Sequence, residues 1–376
     1  MAPQSRSGLF IRVHSFSFVV AGGREVMSKN AYARAGVDIK LGNQVKATLP
    51  ELLASTHRSE ALGAVGGFGG LFALNTRKYK QPVLVSSVDG VGTKLKVAFA
   101  MNRHDTIGQD LVNHCVDDIA VLGAEPLFFL DYLGTGKLKP DVFQKIVEGF
   151  ARGCRENGCV LIGGETAQMS SFYQPGEYDV SGTIVGVVDK ARMLDGKTIR
   201  PGDVVIGLES NGLHTNGYSL ARQVFFDKMK LKPRTRVAEL GGSIGDELLK
   251  VHRSYGPLIQ KLLKKFNPAG KTRAIKGIAH ITGGGFVDNI PRVLPKKCDV
   301  VVDKNTWEVP QVFQMIQKHG RVDAAEMYQV FNMGIGMTLI VGAKEADAIL
   351  RSIRARKQAA WVIGEVKKGK GVAHVV

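Results

Sequence analysis

The sequence predicts an α/β chain of two domains, each built from layers of helix and sheet. Three observations carry this. Short β-rich runs alternate with longer helical ones from Pro82 to about Asp189. A turn-rich connector, "MLDGKTIRPGD", follows at residues 193 to 203. A second series of strand and helix patterns then runs to the end of the chain. A length of 376 residues suits two ordinary domains. A hydrophobic fraction of 44% with near-zero mean hydropathy suits sizeable cores. We therefore expect domains over residues 27–195 and 196–376, preceded by an extension over residues 1–26.

Taken in order, the extension holds Ser5, Ser7, Ser15 and Ser17 with Arg6, Arg12 and Arg24, against one acid, Glu25. That composition resembles a transit peptide. Its apolar part, "FSFVV", is too short for a secretory signal. The expectation is a disordered segment or, with Met27 as the true start, one outside the native chain. "PVLVSSVD" reads as a strand ending in Asp89. "GQDLVNHCVDDIAVLG" carries apolar residues at close to helical spacing, and Asp110, His114 and Asp117 share one face with Asp118 beside it. "PLFFLDYL" and "YDVSGTIVGVVDK" are strands, "CVLIGGET" is a strand running into Gly163-Gly164, and "DVFQKIVEGFARGCRENG" is a helix. Beyond the connector, "VVIGLES" is a strand opening onto "NGLHTNGYSL". "LLKVHRSYGPLIQKLLKKF" reads as a helix broken at Pro257. "IKGIAHITGGGFVDNIPRVL" is a strand, a glycine loop and a helix. "VFQMIQKHG" and "EADAILRSIRARK" are helices, "GIGMTLIVG" is a strand, and "AAWVIGEVK" is the final strand.

The 45 glycines gather in groups between apolar runs. "DGVGTK" (89–94) looks like a phosphate loop, yet it fits neither common nucleotide fingerprint. A P-loop needs G-x4-G-K-[ST]. The nearest match, Gly364, Gly369 and Lys370, is followed by Gly371. No G-x-G-x-x-G is present either. What the sequence offers is five groups: "GGFGG" (66–70), "DGVGTK", "GGET" (163–166), "SNGLHTNG" (210–217) and "TGGG" (282–285). Glycine pairs let backbone N–H groups surround an oxyanion without a Cβ in the way. Carboxylates near such loops suit Mg²⁺, which takes oxygen ligands. Asp89 ends a strand just before its glycines, and Glu165 follows Gly163-Gly164. His214 and His280 each adjoin a glycine loop, where an imidazole serves as acid, base or phosphate ligand.

Cys115, Cys154, Cys159 and Cys298 include one C-x4-C pair with no partner pair to complete a zinc site. They read as reduced thiols of a cytoplasmic protein. No apolar run is long enough for a membrane span. The net charge of +17 is concentrated: residues 227 to 276 carry thirteen Lys/Arg against four Asp/Glu. Lys264 and Lys265 beside Leu262, Leu263 and Phe266 suggest the wet face of an amphipathic helix. No nucleic-acid motif accompanies the charge, so we read it as a solvated face that attracts anionic substrates.

Ten stretches in order, from about Tyr32 to Val376, resemble the phosphoribosylformylglycinamidine cyclo-ligase (aminoimidazole ribotide synthetase) family. They are "YARAGVDI", "GGFGGLF", "DGVGTKLK", "RHDTIGQDLV", "GAEPLFFLDYLGTGKL", "GCVLIGGETAQM", "YDVSGTIVGVV", "SNGLHTNGYSL", "HITGGGFVDNIPRVLP" and "EMYQVFNMGIGM". The resemblance implies ATP-dependent closure of formylglycinamidine ribonucleotide to aminoimidazole ribotide through a phosphorylated amide, with release of ADP and phosphate. It implies two α/β domains, and a homodimer whose N-terminal sheets pair into a barrel. Catalytic roles fall on His214, His280 and Lys94. ATP contacts fall on Gly67, Gly69, Asp89, Gly90, Gly92, Asp118, Gly163, Gly164 and Glu165. Substrate contacts fall on Asn211, Thr215, Asn216, Thr282, Gly283 and Gly284. Mg²⁺ falls to Asp89, Asp110 and Asp118, and K⁺ is a further candidate ion. Of the related families, selenophosphate synthetase usually has a reactive Cys or selenocysteine before its first glycine loop, and no cysteine precedes Cys115 here. Three departures stand out. Pro50 occupies a position where members carry lysine. Cys115-Val116-Asp117-Asp118 replaces C-V-N-D. "VHRSY" at 251 to 255 replaces "PTRIY".

Overall fold

The computed structural model describes residues 31, 36–37, 39–47, 49–62 and 67–376. The expected extension over 1–26 and Gly66 of the first glycine group lie outside the described residues. Two short helices, α1 (Ile39–Lys46) and α2 (Leu49–Ala54), precede a small hairpin of β1 (Ala61–Leu62) and β2 (Leu71–Phe72). Pro50 sits in the first turn of α2, where its missing N–H costs nothing.

A four-stranded sheet follows, formed by β3 (Pro82–Gly90), β4 (Glu125–Thr135), β5 (Val160–Gln168) and β6 (Tyr178–Asp189). Its order is β3-β6-β4-β5, antiparallel except for the β4–β5 pair. Three helices accompany it: α3 (Lys94–Met101), α4 (Ile107–Ala120) and α5 (Pro140–Asn157). Thirteen of the fourteen residues of α4 are buried, because sheet, α5 and the second half of the chain all pack on it. The α4–α5 crossing is close. A Cβ on Gly108 would lie 2.2 Å from the Ile146 carbonyl oxygen and 2.4 Å from the Phe150 nitrogen.

The second half forms a six-stranded mixed sheet. Its strands are β7 (Val204–Glu209), β10 (Ile275–His280), β11 (Cys298–Val302), β12 (Ile335–Val341), β13 (Ala360–Lys368) and β14 (Ala373–Val375), ordered β10-β12-β7-β13-β11-β14. A two-residue ladder, β8 (Arg236–Val237) with β9 (Gly242–Ser243), stands apart. The helices are α6 (Tyr218–Arg222), α7 (Ile244–Leu248), α8 (Gly256–Phe266), α9 (Gly285–Asn289), α10 (Gln311–Gly320), α11 (Ala324–Val330) and α12 (Ala346–Arg354). All of β10 and β12 is buried. Among the described residues, no helix is long and apolar enough to cross a membrane. All four cysteines are free and buried.

Several elements differ from the sequence reading. Pro257 starts α8 instead of breaking a longer helix, since a first-turn proline gives up no hydrogen bond. Strands β11 and β14 went unassigned: "CDVVV" is short, and β14 has only three residues. Gly163 and Gly164 lie inside β5, not in a loop after it. Gly164 packs so close to Asp131 that a Cβ would meet its Oδ1 at 2.3 Å.

Candidate active site

Strand β3 ends at Asp89, and helix α4 runs beside it. Ser87 and Asp89 are two apart on β3, so they share a face. His114 and Asp118 are one turn apart on α4. The Asp89 Oδ1 accepts the Gly90 N–H at 2.7 Å, and its Oδ2 lies 2.9 Å from His114 Nε2. Asp118 Oδ2 lies 3.9 Å from the same nitrogen and 3.0 Å from the Ser87 hydroxyl that donates to it. The second half of the chain supplies the other wall. His280, the last residue of β10, meets Asp118 Oδ1 with Nδ1 at 2.9 Å. Asn216 Nδ2 donates to Thr282 Oγ1 at 2.8 Å. Between the walls lies a cleft of about 570 Å³, lined by Asp89, Asp118, Asn216, His280, Thr282 and Gly283 among others. Arg292 also lines it, and among the described residues no carboxylate pairs with its guanidinium.

Burial works to raise both cleft carboxylates, but histidine outweighs it. The hydrogen bond and charge of His114 hold Asp89 below its ordinary value, and those of His280 do the same for Asp118. Burial pulls His114 down, yet Asp89 more than reverses this and its pKa is raised. For His280 burial prevails over Asp118, and its pKa is lowered.

Behind the cleft is a second, closed layer. Lys94 begins α3 but points inward and is fully buried. Its ammonium donates to Asp110 Oδ1 at 2.9 Å, to the His214 carbonyl at 3.1 Å and to the Lys250 carbonyl at 2.7 Å. Three acceptors match three N–H donors. Asp110 Oδ1 also accepts the His252 N–H at 2.7 Å. This pair therefore joins the first half of the chain to the second. Burial lowers the Lys94 pKa and raises that of Asp110, and each partner opposes the shift in the other. Asp117 caps α8: its Oδ1 accepts the Tyr255 N–H at 2.7 Å and the Gly256 N–H at 3.1 Å. Among the described residues no lysine or arginine partners Asp117, and burial pushes its pKa well up.

His214 has left-handed backbone, φ 61°, which is uncommon for a residue with a side chain. Its ring stacks on His252 with centroids 4.1 Å apart. Gly336 makes room for it, since a Cβ there would lie 2.6 Å from His214 Cε1. Burial, then the neighbouring cationic groups, pushes the His214 pKa well below its usual value, and His252 behaves likewise. Thr215 Oγ1 bridges His114 Nδ1 at 2.7 Å and His252 Nδ1 at 3.3 Å.

The expected site residues thus divide by depth. Asp89, Asp118, Asn216, His280, Thr282 and Gly283 meet at the cleft. Lys94, Asp110, His214 and Thr215 form the layer behind it. The expectations of a catalytic role for Lys94 and of metal at Asp110 conflict with this placement, because each is sealed against the other. Asn211 turns away, donating to the Val251 carbonyl at 2.7 Å. Gly90 ends β3, Gly92 turns the chain into α3 with φ 65°, and Gly284 caps α9. Gly67 and Gly69 are exposed between β1 and β2. Gly163, Gly164 and Glu165 lie on β5, three strands from β3 and so roughly 14 Å across the sheet from Asp89. None of these five lines the cleft. Residues that sequence reasoning left unassigned are Ser87, His114, His252 and Arg292. The i, i+4 spacing of Asp110, His114 and Asp118 was a signal for His114; no local pattern marks Arg292. Two of the departures face each other: His252 Nε2 is 3.5 Å from Asp117 Oδ2.

Comparisons with known proteins agree with this architecture. Residues 74–188 match the family described as AIR synthase related protein, N-terminal domain, and residues 200–376 match its C-terminal domain. The chain is similar to phosphoribosylformylglycinamidine cyclo-ligase of Trichlorobacter lovleyi, 52% identical over 336 residues, or 89% of this chain and 94% of the relative. It is similar to that of Syntrophotalea carbinolica, 51% identical over 90% of this chain and 95% of the relative. Among solved structures, thiamine-monophosphate kinase from Stenotrophomonas maltophilia superposes with a TM-score of 0.63 at 16% identity, over 88% of this chain and 95% of that one. The hydrogenase maturation protein HypE in complex with ATP gives 0.62 at 16% identity, over 88% and 90%. These two likenesses speak to the fold.

Proposed function

Because the chain belongs to the phosphoribosylformylglycinamidine cyclo-ligase family and is an enzyme, we propose that its cleft closes the imidazole ring of aminoimidazole ribotide in purine synthesis. The single observation that carries this reading is the cleft itself, where Asp89 and Asp118 from one half face Asn216, His280 and Thr282 from the other. The substrate is formylglycinamidine ribonucleotide, with ATP as second substrate. An amide oxygen is a poor leaving group. Transfer of the γ-phosphoryl group to the formyl oxygen makes it a good one. The amidine nitrogen then attacks the iminophosphate carbon, and phosphate leaves. Catalysis of this kind rests on positioning and charge.

The residues divide the work. Asp89 and Asp118 are hard oxygen donors held ionised by their histidines, so they fit Mg²⁺, which would offset the charge of the triphosphate. Arg292 lines the cleft wall, and its guanidinium suits the transferred phosphoryl group. Asn216, Thr282 and the Gly283 backbone offer neutral polar contacts to the ribonucleotide. His280 fixes Asp118 through Nδ1. Lys94 and His214 act from the layer behind as positioning residues: Lys94 holds the His214 carbonyl and so the loop carrying Thr215 and Asn216. Residues 27–195 and 196–376 are the two domains in this reading.

A homodimer through the N-terminal sheet is part of the same proposal. Strand β3 is an edge, and Leu84 and Val88 on it are 62% and 65% exposed. Light scattering on the eluting protein should report twice the chain mass of 40.6 kDa; a monomer would remove the dimer. The activity is tested with purified enzyme, formylglycinamidine ribonucleotide and ATP, following aminoimidazole ribotide and ADP together. Equimolar formation of both is expected. ADP without ring closure, or neither product, would reject the reading.

A further inference from the structure

Three imidazoles turn toward one another behind the cleft. His214, His252 and His280 are 2%, 0% and 5% exposed. One ring nitrogen from each lies within 4.8 Å of the others. Among the described residues, both nitrogens of His214, Nε2 of His252 and Nε2 of His280 have no hydrogen-bond partner. A buried polar nitrogen left unpaired is costly, and four at one point are unusual.

The hydrogen bonds around the cluster fix which nitrogens carry lone pairs. His280 uses Nδ1 on Asp118, so a neutral His280 keeps its lone pair on Nε2. His252 meets Thr215 Oγ1 through Nδ1 at 3.3 Å, and so presents Nε2 to the cluster. Each of these two rings is thus held from behind by an oxygen, as metal-bound histidines are. Beside them Asp117 Oδ2 is buried, unpartnered and 3.5 Å from His252 Nε2. Its contacts with the start of α8 use Oδ1, which leaves Oδ2 facing the cluster as an oxygen donor.

We propose that His214, His252 and His280 bind a divalent transition-metal ion of the zinc class, with the Asp117 carboxylate beside it. Neutral imidazoles select borderline ions over Mg²⁺ or Ca²⁺. Burial pushes the pKa of all three rings down, which favours the neutral form a metal ion needs. Zn–N bonds of about 2.0–2.1 Å bring tetrahedral donors to about 3.4 Å apart. The cluster reaches this if His214 turns about χ2, out of its stack on His252, where the ring planes now lie 23° apart. The ion would tie the loops carrying His214 and His252 to β10, and so fix the partner of Asp118. This inference stands independently of the proposed reaction.

The test uses the full, untagged chain, stripped with chelator and dialysed against ZnCl₂ or CoCl₂. Wild type should retain one zinc per chain, melt at a higher temperature with zinc, and give the intense visible absorption of tetrahedral Co²⁺. His252→Ala should bind zinc at least about tenfold more weakly and lose the cobalt bands. His252→Thr is the second variant if alanine impairs folding, checked by circular dichroism. His374→Ala, at an exposed histidine paired with Asp299, should change nothing. Equal zinc retention by wild type and either His252 variant would overturn the proposal. So would a wild type that retains no zinc, or a weak octahedral cobalt spectrum.

Discussion

Asp89 and Asp118, on the cleft side of helix α4, and Asp110 and Asp117, on its buried side, are the same side chain in opposite electrostatic states. Burial is the largest influence on all four, and it raises all four. In the outer pair, histidine hydrogen bonds reverse that influence and hold both carboxyls below their ordinary value. In the inner pair, neither Lys94 nor the backbone N–H groups of α8 reverse it, and both end above. Depth alone therefore does not decide what a carboxylate is for; its partner does. The outer pair is ionised, open to ligands and half-exposed at Asp89. The inner pair joins the two halves of the chain. Changing one partner in each layer tests whether the division is real.

The largest effect is expected from Lys94→Met. It strands Asp110 as a buried carboxylate and takes the donor from the His214 and Lys250 carbonyls. Breaking a buried pair in this way costs about 3–5 kcal/mol. Urea unfolding should show the loss as a lower midpoint, and Lys94→Met with Asp110→Leu should recover much of it. An unchanged midpoint in the single variant would mean that the inner layer does not hold the domains together.

Asp89→Asn acts on the outer layer and should spare the fold. Turnover should fall by about 10²–10³-fold, the scale of losing one preorganised electrostatic group. The circular dichroism spectrum should not move. Since Asp89 is what lifts His114 against its burial, the His114 titration should shift to lower pH in the variant, readable by proton NMR. Near-wild-type turnover would sink the assignment of Asp89 to the triphosphate.

Much of the outer layer was legible in the sequence, because its residues lie at strand ends beside glycine loops: Asp89 before "GVGTK", His280 before "ITGGG". The inner layer was legible as residues but not as roles. A lysine beside a phosphate-like loop reads as a catalytic residue until tertiary packing turns it inward. Asp110 and Asp118 occupy the same helix eight residues apart, and only the partner element each one meets separates glue from ligand. The helix start at Pro257 was misread for a related reason, since a proline breaks a helix or begins one depending on what precedes it. Gly163-Gly164 read as a loop because nothing local reports that Asp131 presses against Gly164 from the neighbouring strand.

The smallest effect, and the finest test of the comparison, is expected from Asp117→Asn. Asparagine keeps an Oδ1 that accepts the Tyr255 and Gly256 N–H groups, so the cap on α8 survives. What changes is the ability to ionise. The folded-state pKa of Asp117 lies above its unfolded value, so the folded chain binds that proton more tightly. The stability this contributes is fully present below the ordinary carboxylate range and is lost as pH rises through the folded value. Measured by urea unfolding across a pH series, wild type should therefore lose stability relative to Asp117→Asn as pH increases. At neutral pH the two should differ by about 1 kcal/mol or less, with the variant the more stable. Asp89 has the opposite sign: its folded pKa is depressed, so its contribution is present above the ordinary carboxylate value and is lost as pH falls. A wild type that gains stability over Asp117→Asn with rising pH would mean that Asp117 is held ionised, by His252 3.5 Å away, just as His114 and His280 hold the outer pair. The two layers would then differ in depth but not in kind.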